Sequence, residues 1–93
     1  MTIREQIQQM RGAFIEKTVA EINSNGRRIE LRALGWENYP EPSWWHVAVN
    51  DQVVTDFNDY NQAIYEARDE ESITPAEAIA LELEYADVDG YGW

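Results

Sequence analysis

The sequence predicts an α+β fold of element order α-β-β-β-α-α, with a three-stranded antiparallel sheet and helices packed on one face. Three observations carry this prediction. Apolar residues recur every three or four positions near both ends of the chain, apolar and polar residues alternate in the middle, and the connecting segments are rich in Gly, Asn and Pro. Because the chain has 93 residues, we expect a single domain over residues 1–93, with a mobile tail at 87–93.

The first predicted helix runs from an N-cap at Thr2 to about Asn23. A single apolar stripe with helical spacing supports it. The stripe consists of Ile3, Ile7, Met10, Phe14, Thr18 and Ile22. The dipeptide Asn25–Gly26 would then provide the left-handed residues with which helices commonly end.

Three strands are predicted over residues 27–34, 44–50 and 53–57. The first alternates strictly, which is typical of a strand with one buried face. A short turn at 50–52 joins the last two strands into an antiparallel hairpin. Residues 35–43 contain two prolines and connect the first strand to the second as a loop.

Two helices are predicted at the end of the chain. Asn58 or Asp59 caps the first of these, and residues 74–77 (Thr-Pro-Ala-Glu) begin the second with a capping box and a proline at its first position. The inner stripe of this last helix is predicted to be Ala76, Ile79, Ala80, Leu83 and Ala86. Leu81 and Tyr85 would then form a second apolar side that is available to a partner.

The formal net charge of −11 is distributed unevenly along the chain. Residues 1–32 contain six basic and four acidic residues, whereas residues 33–93 contain fourteen acidic residues and only Arg68 as a base. Such a segment repels nucleic acid and anionic membranes and attracts basic proteins. We therefore expect no direct binding to nucleic acid or membrane. The alternative is a solvated acidic surface that only keeps the protein soluble.

No motif in the sequence indicates a reaction. The absence of cysteine excludes disulfides, thiolate zinc sites and cysteine nucleophiles. His46 is the single histidine, and its position within a predicted strand supplies neither a base partner nor a pocket. We expect no catalytic residue, no metal site, no cofactor and no enzymatic activity. No apolar run approaches the ~20 residues of a membrane span, and the N-terminus has no secretory signal.

The candidate partner-binding residues are carboxylates of the last two helices and the tail, together with three aromatic residues. Carboxylates on successive helical turns can present a row of negative charge like that of a nucleic-acid backbone. Aromatic side chains are typical anchors of protein interfaces. The predicted set is Asp69, Glu70, Glu71, Glu77, Glu82, Glu84, Asp87, Asp89, Trp36, Tyr39 and Trp44.

In length, element order and acidic C-terminal half, the chain resembles a class of small acidic anti-CRISPR proteins carried by phages. The acidic half is represented by residues 69–71, Glu82, Glu84, Asp87 and Asp89. The resemblance implies a DNA mimic that occupies the motif-reading site of a CRISPR effector in the cytoplasm of a bacterial host. This chain departs from that class in its four tryptophans and its cationic first third. Antirestriction proteins share the same use of charge on other folds.

Two functions of different classes follow. The first is a non-enzymatic inhibitor that mimics nucleic acid and blocks a basic nucleic-acid-binding protein, such as a CRISPR effector or a restriction enzyme. The second is a protein-interaction module without mimicry, such as an immunity protein, an antitoxin or a small homodimer. In the second case Leu81, Tyr85 and the tryptophan-rich strand would provide the contact.

Overall fold

The structure is a computed structural model that describes Thr2, Ile3, Gln6 and residues 12–87. It shows an α+β fold in which an antiparallel sheet is followed by two helices. The elements are β1 (Phe14–Ser24), β2 (Arg27–Trp36), β3 (Trp44–Val49), β4 (Gln52–Phe57), α1 (Tyr60–Asp69) and α2 (Pro75–Ala86). The four strands lie side by side in chain order, and each pairs antiparallel with the next.

The prediction of a helix up to Asn23 was wrong, because Phe14–Ser24 is the strand β1 and the sheet has four strands instead of three. A register shift between Thr18 and Ala20 inserts one extra residue into β1. As a result Ile15 and Ile22, seven residues apart, lie on the same face of the sheet. Phe14 and Thr18 of the predicted stripe are four residues apart, which is two strand periods as well as about one helical turn, and the bulge then places Ile22 on the opposite face. Residues 4, 5 and 7–11 of the predicted helix lie outside the described residues.

Both tight hairpins are made by two-residue turns with left-handed backbone. Asn25 and Gly26 have φ of 53° and 73° and join β1 to β2. Asn50 and Asp51 have φ of 49° and 70° and join β3 to β4, which confirms the predicted hairpin. Positive φ at both central residues is what a two-residue turn between twisted strands requires. Asn25–Gly26 is therefore a hairpin turn and not the end of a helix.

The other predicted elements are confirmed with small differences at their ends. The loop predicted at 35–43 is shorter, because Gly35 and Trp36 extend β2. The side chain of Asp59 caps α1 by accepting a hydrogen bond from the N–H of Asn61 at 2.9 Å. The predicted capping box between Thr74 and Glu77 is present at the start of α2. Neither of these two helices, 10 and 12 residues long, is sufficiently long and apolar to span a membrane.

One face of the sheet packs against both helices, as predicted. Alternate residues of β2 and β3 are buried there with side chains of α1 and α2 in one apolar cluster. Its largest members are Ile29, Leu31, Trp45, Val47, Ile64, Leu81 and Tyr85. The rings of Trp45, Tyr60 and Tyr85 meet with centroids 4.9 to 5.5 Å apart and join β3 to both helices.

The face of α2 that was predicted to be buried is exposed. Leu81 and Tyr85 are 0% and 1% exposed, whereas Ile79 and Leu83 are 59% and 63% exposed. The apolar residues of α2 are distributed around most of its circumference, so their spacing in the sequence fits two orientations of the helix on the sheet. Glu77 determines which orientation forms, because it lies on the same side of α2 as Leu81 and forms an ion pair with Arg27 of β2. Leu81 and Tyr85 are thus unavailable to a partner.

The helices run along the sheet in opposite directions. We call the end of the sheet with the two hairpin turns the turn end, and the end with residues 37–43 the loop end. Arg27 at the turn end reaches Ser72 and Glu77, so α2 begins there. Tyr85 packs on Trp45 near the loop end, so α2 finishes there.

Candidate functional site

The protein has two surfaces with different charge arrangements. We call residues 58–87, which comprise α1, α2, their connection at 70–74 and the flanking cap residues, the helix layer. The sheet face that points away from the helices is the open face. Most of the predicted partner-binding residues lie on one or the other of these surfaces.

The open face carries an ion-pair network around the buried carboxylate of Glu30. Glu30 accepts hydrogen bonds from Thr18 Oγ1 and Arg32 Nη2, each at 2.8 Å, and Arg28 Nε lies 3.4 Å away. Arg32 also contacts Glu16 and Asp51. Burial would raise the pKa of Glu30, but the hydrogen bonds from Arg32 and Thr18 and the two positive charges outweigh it and hold the pKa below its ordinary value of 4.5. Arg28 and Arg32 are thus neutralised by neighbouring carboxylates of the sheet and its turns.

This network predicts a specific pH dependence of stability. Because folding lowers the pKa of Glu30, its contribution is complete above the ordinary value of 4.5 and is lost as the pH falls through the lower folded value. We expect the difference in unfolding free energy between wild type and Glu30→Gln to be largest at neutral pH and to shrink below pH 4.5. Urea titrations of both proteins between pH 7 and pH 3 measure it. Comparing the two proteins cancels the effect of protonating the many exposed carboxylates. A difference that does not change with pH would contradict a lowered pKa of Glu30 in the folded protein.

His46 lies on the open face between two carboxylates. Its Nδ1 is 3.8 Å from Glu16 Oε2, and its Nε2 is 3.8 Å from Asp56 Oδ1. Both distances exceed a hydrogen bond. Within residues 12–87, no three His, Asp or Glu side chains are grouped in a way that could hold a metal ion. His46 therefore makes no hydrogen bond to either carboxylate.

Glu77 joins the helix layer to the sheet. It is 3% exposed, forms an ion pair with Arg27 and accepts a hydrogen bond from the N–H of Thr74 at 2.8 Å. Burial would raise the pKa of this carboxyl, but the hydrogen bonds from Thr74 and Arg27 outweigh burial and hold the pKa below its ordinary range. Glu77 was predicted to bind a partner, and its burial removes it from that set.

The remaining acidic candidates of the helix layer, all exposed except the half-buried Glu82, form two groups. Asp69, Glu70 and Glu71 follow α1 at the turn end, while Glu82, Glu84 and Asp87 lie on the last turns of α2 near the loop end. Asp69 is paired with Arg68 at 3.2 Å, and Glu82 accepts a hydrogen bond from Tyr65. Among the described residues, the other four form no ion pair: Glu70, Glu71, Glu84 and Asp87. Asp89 lies outside the described residues.

Glu71 occupies a backbone position that normally belongs to glycine. Its φ is 62°, and the N–H groups of Glu71 and Ser72 donate to the carbonyls of Arg68 and Ala67 at 3.0 and 2.9 Å. This is a Schellman ending, whose left-handed residue is usually Gly because a Cβ is strained there. A carboxylate at the negative end of a helix is unfavourable in addition. The chain therefore keeps an acid here at the expense of stability.

The aromatic candidates lie elsewhere. Trp36 pairs with Phe14 and Trp44 pairs with Leu34 across the strands, which places both tryptophans on the open face. Tyr39 lies in the loop at 37–43 and is 44% exposed. The structure thus separates these three residues from the carboxylates of the helix layer. Phe14 was missed as a member of this aromatic group, although its ring centroid is 5.2 Å from that of Trp36.

No family model, curated protein or solved structure matches this chain. The four arginines that the structure describes, Arg27, Arg28, Arg32 and Arg68, are all in ion pairs, whereas Lys17 is exposed and forms no ion pair with a described residue.

Sequence reasoning also missed the exposed apolar residues of α2. Ile79 and Leu83 are separated by one helical turn and are the most exposed large apolar side chains in residues 12–87. The capping-box residue Glu77 was the one signal for the orientation of α2. Glu77 pairs with Arg27 of β2, so the side of the first helical turn that carries Glu77 must face the sheet. This orientation can be deduced only once that pairing is known.

Proposed function

We propose that this chain is a non-enzymatic acidic inhibitor that binds a basic nucleic-acid-binding protein through the helix layer. The observation that carries the proposal is the distribution of ion pairs. The described arginines of the sheet are neutralised by acidic neighbours, whereas Glu70, Glu71, Glu84 and Asp87 point to solvent and are paired with no cation in the described part of the chain. Free carboxylates of this kind suit a surface that meets arginines and lysines of another protein.

The composition of the helix layer supports a specialised surface over general solubility. Residues 58–87 contain nine acidic residues and one basic residue, Arg68, which is engaged by Asp69. Exposed helices ordinarily place cations one turn from their acids, and such pairs stabilise a helix by ~0.2–0.5 kcal/mol each. α2 has no basic residue at all. Its solvent-facing carboxylates, Glu82 and Glu84, therefore have no cation within the described part of the chain and are available to a basic partner.

The strained Glu71 supports the same conclusion. Backbone strain that a glycine would remove is retained preferentially at functional sites. Here the strain keeps a negative charge at the turn end, next to Glu70 and Asp69. This is the expected pattern if that charge contributes to binding.

The spacing of the two acidic groups suits a partner whose binding site normally holds an extended anion, such as a nucleic-acid backbone. Glu84 lies nine positions after Pro75, which is at the turn end, and this corresponds to ~14 Å along the helix axis. One DNA strand rises ~3.4 Å per phosphate, so the layer spans about four phosphates. We propose on this basis that the partner uses the same basic surface for nucleic acid, and that a CRISPR effector or a restriction enzyme is such a partner.

The test is capture on the immobilised protein from nuclease-treated bacterial lysate at low salt, followed by elution with duplex DNA. Elution with polyglutamate of equal total charge runs in parallel. We expect DNA to release a nucleic-acid-binding protein at lower charge concentration than polyglutamate does, and the purified complex to be unable to bind DNA. A captured protein that keeps its DNA-binding activity in the complex would contradict mimicry.

Two variants separate binding from stability. Glu71→Gly removes a carboxylate and the left-handed strain together, so we expect weaker binding in a protein that is more stable by ~1 kcal/mol, which raises Tm by about 4–8 °C. Glu84→Gln is compared with Glu41→Gln, which makes the same charge change in the exposed loop at 37–43. We expect only Glu84→Gln to weaken binding. Equal effects of Glu84→Gln and Glu41→Gln would reduce the role of the helix layer to net charge.

A further inference from the structure

The outer side of α2 is an apolar stripe. Ile79 and Leu83 are 59% and 63% exposed, and Ala76 and Ala80 beside them are exposed as well. These are side chains that a soluble helix normally turns inward. The inward side is already occupied by Leu81 and Tyr85, so the stripe is surplus to the needs of the fold.

The four residues form two parallel rows of one-turn spacing. Ile79 and Leu83 make a ridge, and Ala76 and Ala80 make a shallow groove next to it. The groove continues towards the β1–β2 hairpin, where Ile22, Ser24 and Thr74 also line it. A ridge beside a groove of small residues is the shape into which the side-chain ridge of another helix packs.

Acidic side chains border the stripe. Glu82 flanks it on the side of α1, where it accepts the hydrogen bond from Tyr65. Glu84 is two positions further along and lies on the opposite flank, and Asp87 closes the C-terminal end. A helix laid on the stripe would therefore meet carboxylates along both of its sides.

The acidic border indicates which kind of helix could bind on the stripe. A second copy of α2 offers no lysine or arginine and would place glutamates against glutamates. A helix with an apolar face and flanking basic residues satisfies both the stripe and its border.

We propose that α2 docks an amphipathic helix of the partner that is apolar on one side and basic on its flanks. The proposal rests on the proposed function in so far as the helix layer is the binding side. It adds that apolar contacts of Ile79 and Leu83 supply specificity at the centre while the carboxylates act at the rim.

The test uses a fluorescein-labelled synthetic helical peptide of about 18 residues, five turns, with leucines on one face and lysines on its flanks. Its controls are the same peptide with glutamates for the lysines, and a scrambled peptide of identical composition. Fluorescence anisotropy with the full chain measures binding. We expect the lysine peptide alone to bind, and Leu83→Ser to weaken it roughly tenfold or more. The matched control is Val53→Ser, which removes an apolar side chain of 43% exposure on β4 and should leave binding unchanged.

Four results would overturn this inference. Equal binding of the scrambled peptide would show that charge alone suffices, and unchanged binding by Leu83→Ser would show that the stripe is not the contact. A dimer in sedimentation that Leu83→Ser dissociates would show that a second copy covers the stripe. If Leu83→Ser leaves DNA-releasable capture from lysate intact, the inference fails and the proposed function stands. If the peptide binds as expected but DNA releases nothing, the inference stands and mimicry fails.

Discussion

Leu81→Asp is expected to unfold the protein, whereas Leu83→Asp is expected to leave it folded. Leu81 is completely buried between the sheet and α1, so the substitution removes an aliphatic side chain worth about 2–5 kcal/mol and places a carboxylate in its cavity. Burying an unpaired charge costs several kcal/mol more. The sum approaches the ~5–14 kcal/mol of total stability usual for a domain of this length.

The neighbouring substitution is a matched control, because Leu83 is 63% exposed on the same helix. Exposed positions usually tolerate substitution within ~0.5 kcal/mol. Circular dichroism and urea titration of the two variants compare them directly. A folded Leu81→Asp protein with stability near wild type would mean that α2 presents the other face to the sheet.

Glu77→Ala is expected to destabilise the protein by about 3–5 kcal/mol, because it leaves a partly buried guanidinium without its partner and opens the capping box of α2. The carboxylate is the only described side chain that joins Arg27 to α2, and it also accepts the N–H of Thr74. Glu77→Gln keeps an acceptor for Thr74 but loses the charge, so we expect a smaller loss.

A double-mutant cycle separates the two contributions. Arg27→Leu in the Glu77→Leu background removes the stranded cation, and we expect it to recover part of the lost stability. Thermal unfolding of the four proteins measures the coupling. Additive effects of the two substitutions would show that the pair contributes nothing to the attachment of α2.

The parts of the fold that were predicted correctly depend on local signals. The cap at Thr74, the proline after it and the alternation of β2 specify their elements without knowledge of the neighbours. β1 was missed because its bulge changes the two-residue period at Val19. Asn25–Gly26 was the local signal that contradicted a helix, since this dipeptide favours a two-residue hairpin turn.

The candidate site was predicted less completely, because ion pairing depends on strand register and helix rotation. The charge asymmetry was visible in the sequence, and so was the spacing of Arg28, Glu30 and Arg32 on one face of a strand. The partner of Glu77 is fifty residues away, and no local pattern indicates it. The same contact decides which face of α2 is exposed, so the apolar stripe could be located only after the long-range packing was known.

The irregularity of β1 also affects how readily this edge of the sheet could pair with another chain. β1 is an outer strand of the sheet, and an outer strand offers unpaired backbone groups that can recruit another chain into a continuous cross-β stack. The bulge at Val19 interrupts that row, and the charged side chains of Glu16, Lys17 and Glu21 discourage a neighbouring strand. The bulge and these charges thereby disfavour the addition of a further strand on this side of the sheet.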